Sequence, residues 1–88
     1  MTLSTTVRVT VRYFGAARAA AHAESEILTL DPGTSVGELA TRLSERNERL
    51  AAVLGRCSYL CDGVAVRDTA AQVRTGQIID VLPPFAGG

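Results

Sequence analysis

The sequence contains no lysine and no tryptophan, and it has only one histidine, one methionine and two cysteines. All nine basic residues are arginines, and nine acidic residues balance them, so the formal net charge is zero. A neutral chain without a basic stripe gives no electrostatic reason to expect binding to nucleic acid or to an anionic membrane. The shortage of nucleophiles and bases argues against a protein that performs acid–base or Schiff-base chemistry by itself.

Long hydrophobic runs are also missing. No apolar stretch approaches the ~20 residues that cross a bilayer, and residues 1–6 lack the charged start and apolar segment of a secretory signal. We therefore expect a cytoplasmic protein. Of the 88 residues, 47% are hydrophobic and 20% are charged, which fits a single domain with a modest core that needs no metal or disulfide.

Apolar periodicity predicts an α+β domain over residues 1–82. Residues 7–14 alternate as in a strand with one solvated face: Val7, Val9, Val11 and Tyr13 fall on one side, with Arg8, Thr10, Arg12 and Phe14 on the other. Further strands are predicted over 26–30, 57–61, 64–66 and 77–82, with a hairpin turn at Asp62-Gly63.

One main helix is predicted between the second and third strands. Ser35 and Glu38 have the spacing of a capping box at its start, and the helix is expected to end near Asn47. Residues 16–21 are predicted to form one or two helical turns, and residues 49–54 another turn. This order predicts a mixed sheet with one main helix crossing one of its faces.

Cys57 and Cys61 are predicted to be reduced, structural residues. Four positions apart in a strand, their Cα atoms would be ~13 Å apart, well beyond the ~7 Å that a disulfide allows. A zinc site needs about four ligands, and the lone His22 lies far away in a predicted solvated loop. We therefore expect no metal site.

The last predicted strand contains a single charged residue, Asp80, which is expected to face solvent. Strand alternation then places Ile78 and Leu82 on the same face. An exposed apolar patch beside the chain terminus suggests a docking surface. The alternative is that Ile78 and Leu82 point inward and Asp80 sits at a sheet edge.

The sequence ends in Pro83-Pro84-Phe85-Ala86-Gly87-Gly88. Proline cannot donate to a sheet ladder, so the diproline is expected to end the last strand and direct the chain away from the body. Glycine has no Cβ and fits narrow channels, and six extended residues reach at most ~20 Å. We interpret 83–88 as a flexible tail that presents its terminal carboxylate to another protein. A frayed terminus without function is the alternative.

Over nearly its whole length the sequence resembles the MoaD/ThiS family of ubiquitin-like sulfur carriers. The matching segments are VRYFGAAR at 11–18, the capped helix from Ser35, CSYLCDG at 57–63 and DVLPPFAGG at 80–88. The Pro-Pro-x-x-Gly-Gly ending favours the MoaD branch, the small subunits of molybdopterin synthase, over ThiS. The resemblance implies the β-grasp fold.

The resemblance also implies a sulfur carrier that is not catalytic on its own. A MoeB-like adenylyltransferase would use ATP to make a transient acyl-adenylate at Gly88, and a rhodanese or cysteine desulfurase would supply the sulfur of a Gly88 thiocarboxylate. Docked in a MoaE-like large subunit, the thiocarboxylate would give its sulfur to cyclic pyranopterin monophosphate (precursor Z). Gly87 and Ala86 would keep the tail narrow.

Partner binding is implied for three apolar residues, Phe85, Leu82 and Ile78, with Pro83 and Pro84 directing the tail. Arg8 and Arg12, on the solvated face of the first strand, would set orientation and association rate. Three alternatives stay open: a sulfur carrier of thiamine or cysteine biosynthesis, a ubiquitin-like protein modifier, and a β-grasp binding module whose Gly-Gly ending is incidental.

Overall fold

A computed structural model describes residues 6–84. Strand β1 (Val7–Tyr13) leads through helix α1 (Gly15–Ala21) to strand β2 (Ser25–Leu30). Next come helices α2 (Val36–Ser44) and α3 (Glu48–Leu54). The described part of the chain finishes with strands β3 (Ser58–Cys61), β4 (Val64–Ala65) and β5 (Ile78–Leu82).

The five strands form one mixed sheet in the order β2-β1-β5-β3-β4. Strand β5 lies at its centre, parallel to β1 and antiparallel to β3. The inner face of the sheet packs on the helices around one core, and the outer face is the opposite side. The inner side chains alternate along each strand as predicted for β1, and the buried strand residues are Val9, Val11, Tyr13, Leu28, Leu30, Ile79 and Val81. The predicted α+β class with a mixed sheet is confirmed.

The start of α2 has the predicted capping box, but the helix is shorter than predicted. Ser35 Oγ accepts the Glu38 N–H at 3.1 Å, and Glu38 Oε1 accepts the Ser35 N–H at 3.0 Å. The helix ends at Ser44 rather than near Asn47, because the Asn47 side chain accepts the Leu50 N–H at 2.7 Å and so starts α3. An asparagine cap of this kind stops one helix and begins the next.

The Asp62-Gly63 pair forms the predicted hairpin turn between β3 and β4. Both residues have positive φ, 49° at Asp62 and 82° at Gly63, as a two-residue turn of type I′ requires. The Asp62 carboxylate also accepts the Ile78 N–H at 2.8 Å and so ties the turn to β5. Within residues 6–84, none of the helices combines the length and the apolar character needed to cross a membrane.

A polar network joins the inner face of the sheet to the end of α2. Tyr13 donates its hydroxyl to Glu26 at 2.6 Å, and the Arg46 guanidinium binds both oxygens of the same carboxylate. Burial disfavours the charged carboxylate, but the hydrogen bonds from Arg46 and Tyr13 outweigh burial and hold the Glu26 pKa below its ordinary value. Burial and the bond to Glu26 raise the pKa of Tyr13. The network depends on tertiary contacts that the linear pattern did not indicate.

Candidate functional site

The last strand delivers the chain terminus from the middle of the sheet. Its inner residues, Ile79 and Val81, are both fully buried, so the strand is fixed in place by the core. Pro83 then packs beside Gly15, where an added Cβ would lie 3.6 Å from the proline Cγ. Gly15 has a φ of +52°, a conformation that favours glycine. The chain therefore leaves the body beside the start of α1.

The outer face of β5 carries Ile78, Asp80 and Leu82. The strand register places Ile78 beside Thr10, and Asp80 between Arg12 of β1 and Leu60 of β3. Ile78 is 36% exposed and Leu82 is half-buried. The alternative in which both residues point inward is therefore wrong, and β5 is a central strand rather than an edge.

Asp80 is buried, contrary to the prediction that it faces solvent. It lies on the outer face but is only 6% exposed, because Arg12 lies across it with Nε–Oδ1 and Nη2–Oδ2 distances of 2.6 and 2.9 Å. Strand alternation gives the face on which a residue lies but not its neighbour on the next strand, so this ion pair could not be read from the pattern.

Arg12 and Arg8 occupy opposite ends of β1. Arg12 keeps about half of its side chain exposed, and its guanidinium lies 5.8 Å from the centre of the Phe14 ring. Arg8 is four residues away, ~13 Å along the strand, and its N–H donates to Thr75 Oγ1 at 3.0 Å. The structure thus brings Arg12 close to the exit of the chain at Pro83, and Arg8 to the far end of β5.

Three residues that the sequence did not single out also border this region. Phe14 is 39% exposed, and Leu60 lies directly beside Asp80. Arg56 lines a groove of about 260 Å³ together with Ala16, Val53, Pro83 and Pro84. In strand geometry Phe14 shares a face with Arg12, and Leu60 with Ser58, which was a usable signal for the first two, whereas the position of Arg56 depends on how α3 packs.

Pro83 and Pro84 are the last described residues of the predicted tail. Phe85, Ala86, Gly87 and Gly88 lie outside the described residues, so their predicted roles as docking anchor, narrow segment and sulfur-carrying terminus remain predictions. The docking roles of Ile78, Leu82, Arg8 and Arg12 are likewise hypotheses, now with known positions on the sheet.

Cys57 and Cys61 are free and half-buried, and both contact the edge of the core. Cys57 donates its S–H to the Val53 carbonyl at 3.2 Å. Burial raises the pKa of both thiols, which lowers the fraction of the reactive thiolate at neutral pH. Among residues 6–84, no three His, Cys, Asp or Glu side chains come together as metal ligands.

The fold defines the class of protein, a ubiquitin-like β-grasp domain. The HVO 2177 protein of Haloferax volcanii, solved in solution, matches with a TM-score of 0.82 at 27% identity over 94% of this chain and 88% of that one. A model described as the ThiS family matches residues 11–88 of the sequence. The chain belongs to the ThiS family.

Two further solved structures share this fold. One chain in the structure of a complex of subunits 1 and 2 of the molybdopterin-converting factor from Helicobacter pylori matches with a TM-score of 0.70 at 27% identity, over 93% of this chain and 100% of that one. A small archaeal modifier protein, SAMP1 of Haloferax volcanii, has a TM-score of 0.79 at 19% identity over 92% and 99%, a likeness of fold alone. No curated protein matches the sequence significantly.

Proposed function

We propose that this chain is the sulfur-carrying small subunit of a molybdopterin synthase and that Gly88 carries the sulfur. The observation that carries the proposal is the position of β5. Its inner residues are fully buried in the core, whereas Ile78 and Leu82 on its outer face stay partly exposed. This strand leads directly into Pro83-Pro84 and the Gly-Gly ending. Membership of the ThiS family and the 27% identity to the Helicobacter pylori complex support the proposal.

The chemistry begins at the Gly88 carboxylate, which is a poor electrophile until it is activated. An adenylyltransferase would join it to the AMP part of ATP and release pyrophosphate. A persulfide from a rhodanese or cysteine desulfurase would then displace AMP, and a second thiol would cleave the acyl disulfide by reduction. The product is a thiocarboxylate, whose sulfur is the nucleophile delivered to cyclic pyranopterin monophosphate in the large subunit.

Docking on the large subunit would use the outer face of β5. Ile78 and Leu82 flank the Arg12–Asp80 pair there, and Phe85 follows the diproline. Interface energy is concentrated in a few buried anchors, often aromatic, so apolar contacts by Leu82 and Phe85 would supply most of the affinity. Because Arg12 is already paired with Asp80, its contribution would be orientation of the partner rather than a new buried ion pair.

Shortening or lengthening the terminus tests the carrier role. Deletion of Gly88, or addition of one residue after it, should abolish molybdopterin formation in a reconstituted system while the circular dichroism spectrum and thermal unfolding stay as in wild type. Both changes leave residues 6–84 and their core untouched, so a loss of activity with unchanged spectra would not reflect a loss of fold. Molybdopterin formation by either variant would contradict the proposal.

Substitution of the predicted anchor tests docking separately. Phe85→Ala should weaken binding to the large subunit by about 10- to 100-fold, whereas the matched change Arg8→Ala, at the far end of β1, should have a small effect that fades as salt rises. Titration calorimetry at two ionic strengths measures both. Unchanged binding by Phe85→Ala, together with a large loss for Arg8→Ala at high salt, would place the interface elsewhere.

Analysis of the products formed at Gly88 separates the proposal from its alternatives. A carrier for thiamine or cysteine biosynthesis would acquire sulfur at Gly88 but would not support molybdopterin formation. A protein modifier would instead form an amide between Gly88 and a lysine of another protein, which peptide mass spectrometry detects as a branched peptide. A binding module would show neither product.

A further inference from the structure

Strand β2 forms one edge of the sheet, and among the described residues it pairs only with β1. Tyr13 N–H donates to the Glu24 carbonyl at 2.8 Å. Facing residues of an antiparallel pair alternate between hydrogen-bonded and non-hydrogen-bonded positions, so Glu26, Leu28 and Leu30 also turn their backbone groups toward β1. The backbone groups of the residues between them point to the open side. The outward direction of the Thr29 carbonyl is consistent with its hydrogen bond from the Arg42 side chain, at 3.3 Å.

The outward backbone groups of this edge have little protection against pairing with another strand: the one charged side chain of β2, Glu26, points to the inner face, and Arg42 covers only the Thr29 carbonyl. Edge strands are commonly blunted by a charged residue, a proline or a bulge. The outer-face side chains of β2 are Ser25, Ile27 and Thr29, none of them charged, and the register with β1 runs unbroken from Ser25 to Leu30. Ile27, at the middle of this set, is 61% exposed. The edge is therefore suited to accept a further strand.

We propose that β2 pairs antiparallel with β2 of a second copy of this chain, about a two-fold axis at Ile27. In that register Ile27 lies opposite its own counterpart, and Ser25 lies opposite Thr29. These are the residues whose backbone N–H and C=O groups face the open side, so each of them gains a partner. On the outer face the two Ile27 side chains pack together, flanked by two Ser25–Thr29 pairs, with no like charges opposed.

The charges beside the edge fit the same register. Among the described residues Arg42 takes part in no ion pair, and its one hydrogen bond to Thr29 is long. The Thr29 carbonyl would accept the Ser25 N–H of the second copy in its place. Arg42 would then be free to reach Glu24, the residue before Ser25 in the second copy. Glu24 already pairs with Arg18 of its own copy, but its side chain is 73% exposed, so the carboxylate can contact a second guanidinium. The two-fold axis makes this contact twice.

The pairing joins two sheets into one and leaves the outer face of β5 open. Strand β5 lies two strands from the edge, ~10 Å away, so the self-association is independent of the proposed sulfur transfer. We expect a weak, concentration-dependent dimer, since a single pair of strands buries less than the ~1,200 Å² at the low end of stable interfaces.

Amide hydrogen exchange of the full 88-residue chain tests the register residue by residue. The amides of Ser25, Ile27 and Thr29 should become protected as protein concentration rises toward ~1 mM, whereas those of Glu26 and Leu28, bonded to β1, should be protected at every concentration. A chain that stays monomeric with the three outward amides unprotected overturns the proposal. Protection that appears only after an acidic extended peptide is added also overturns it, because the edge would then serve another protein.

Substitutions give a second, independent test by sedimentation. Ile27→Asp should weaken the dimer about tenfold or more, because two carboxylates would meet at the axis. Val64→Asp is the matched control, since Val64 is 69% exposed on the opposite edge strand β4, and it should dimerise like wild type. Arg42→Glu and Glu24→Arg should each weaken the dimer, and the double variant should recover part of the loss, since Arg18 of the same copy lies beside position 24. Equal behaviour of Ile27→Asp and Val64→Asp would overturn the proposed axis.

Discussion

The two faces of β5 differ in what fixes their residues. On the inner face, Ile79 and Val81 are fully buried against the core, and their alternation follows from hydrophobic burial alone. On the outer face, Asp80 is covered by Arg12 from the neighbouring strand, while Ile78 stays partly exposed. The inner residues stabilise this domain. The burial of the outer residues is set by side chains of neighbouring strands and, in our proposal, by a partner protein.

Matched isoleucine truncations give the sharpest contrast between these faces. Ile79→Ala should lower the free energy of unfolding by about 2–5 kcal/mol, because it leaves a cavity in a closed core. Ile78→Ala, one residue earlier, should cost much less stability but should weaken binding to the large subunit. Urea unfolding and a binding titration measure the two effects, and similar stability losses for both variants would remove the distinction.

The inner-face alternation of β1 and two local motifs were predicted well from the sequence. The alternation from Val7 to Tyr13, the Ser35–Glu38 capping box and the Asp62-Gly63 turn each depend on residues close together in sequence, and all three are confirmed. These features follow from local geometry and burial, which a linear pattern records.

The features that the sequence missed depend on partners distant along the chain. Asp80 is 68 positions from Arg12, so nothing near it in sequence indicated that a guanidinium would cover it. The contact of Glu26 with Arg46 likewise joins β2 to the turn between α2 and α3. For the candidate site, the outward orientation of Ile78 was predictable by alternation, whereas the groove at Arg56 required the packing of α3.

The Glu26 network predicts a pH-dependent contribution to stability. Because its folded-state pKa lies below the ordinary value of 4.5, the ionised carboxylate stabilises the fold above that pH, and the contribution is lost as the pH falls through the lowered pKa. Glu26→Gln should therefore reduce the unfolding free energy near neutral pH by about 1–3 kcal/mol.

The gap between wild type and Glu26→Gln should shrink on the acid side of pH 4.5, because the protonated carboxyl resembles the amide. Thermal unfolding over a pH series measures this gap. A gap that is constant across the series would mean that the Tyr13–Glu26–Arg46 contacts matter through shape rather than charge.

Substitution of the cysteines should have the smallest effect on stability among these variants. The double change of Cys57 and Cys61 to Ala removes one sulfur atom at each of two half-buried positions, so it should lose less stability than Ile79→Ala. The variant should still accept sulfur at Gly88, because the raised thiol pKa values argue against a reactive thiolate. Loss of sulfur transfer with an intact fold would point to a relay through the thiols.

The intact mass of the protein tests the central claim most directly. The chain is incubated with a cognate adenylyltransferase, ATP and a persulfide donor, and then analysed whole and after digestion. We predict a mass change equal to exchange of one oxygen for sulfur, located in the peptide that ends at Gly88 and absent when ATP is omitted. An unchanged terminal peptide, or sulfur found only on Cys57 or Cys61, would contradict the account.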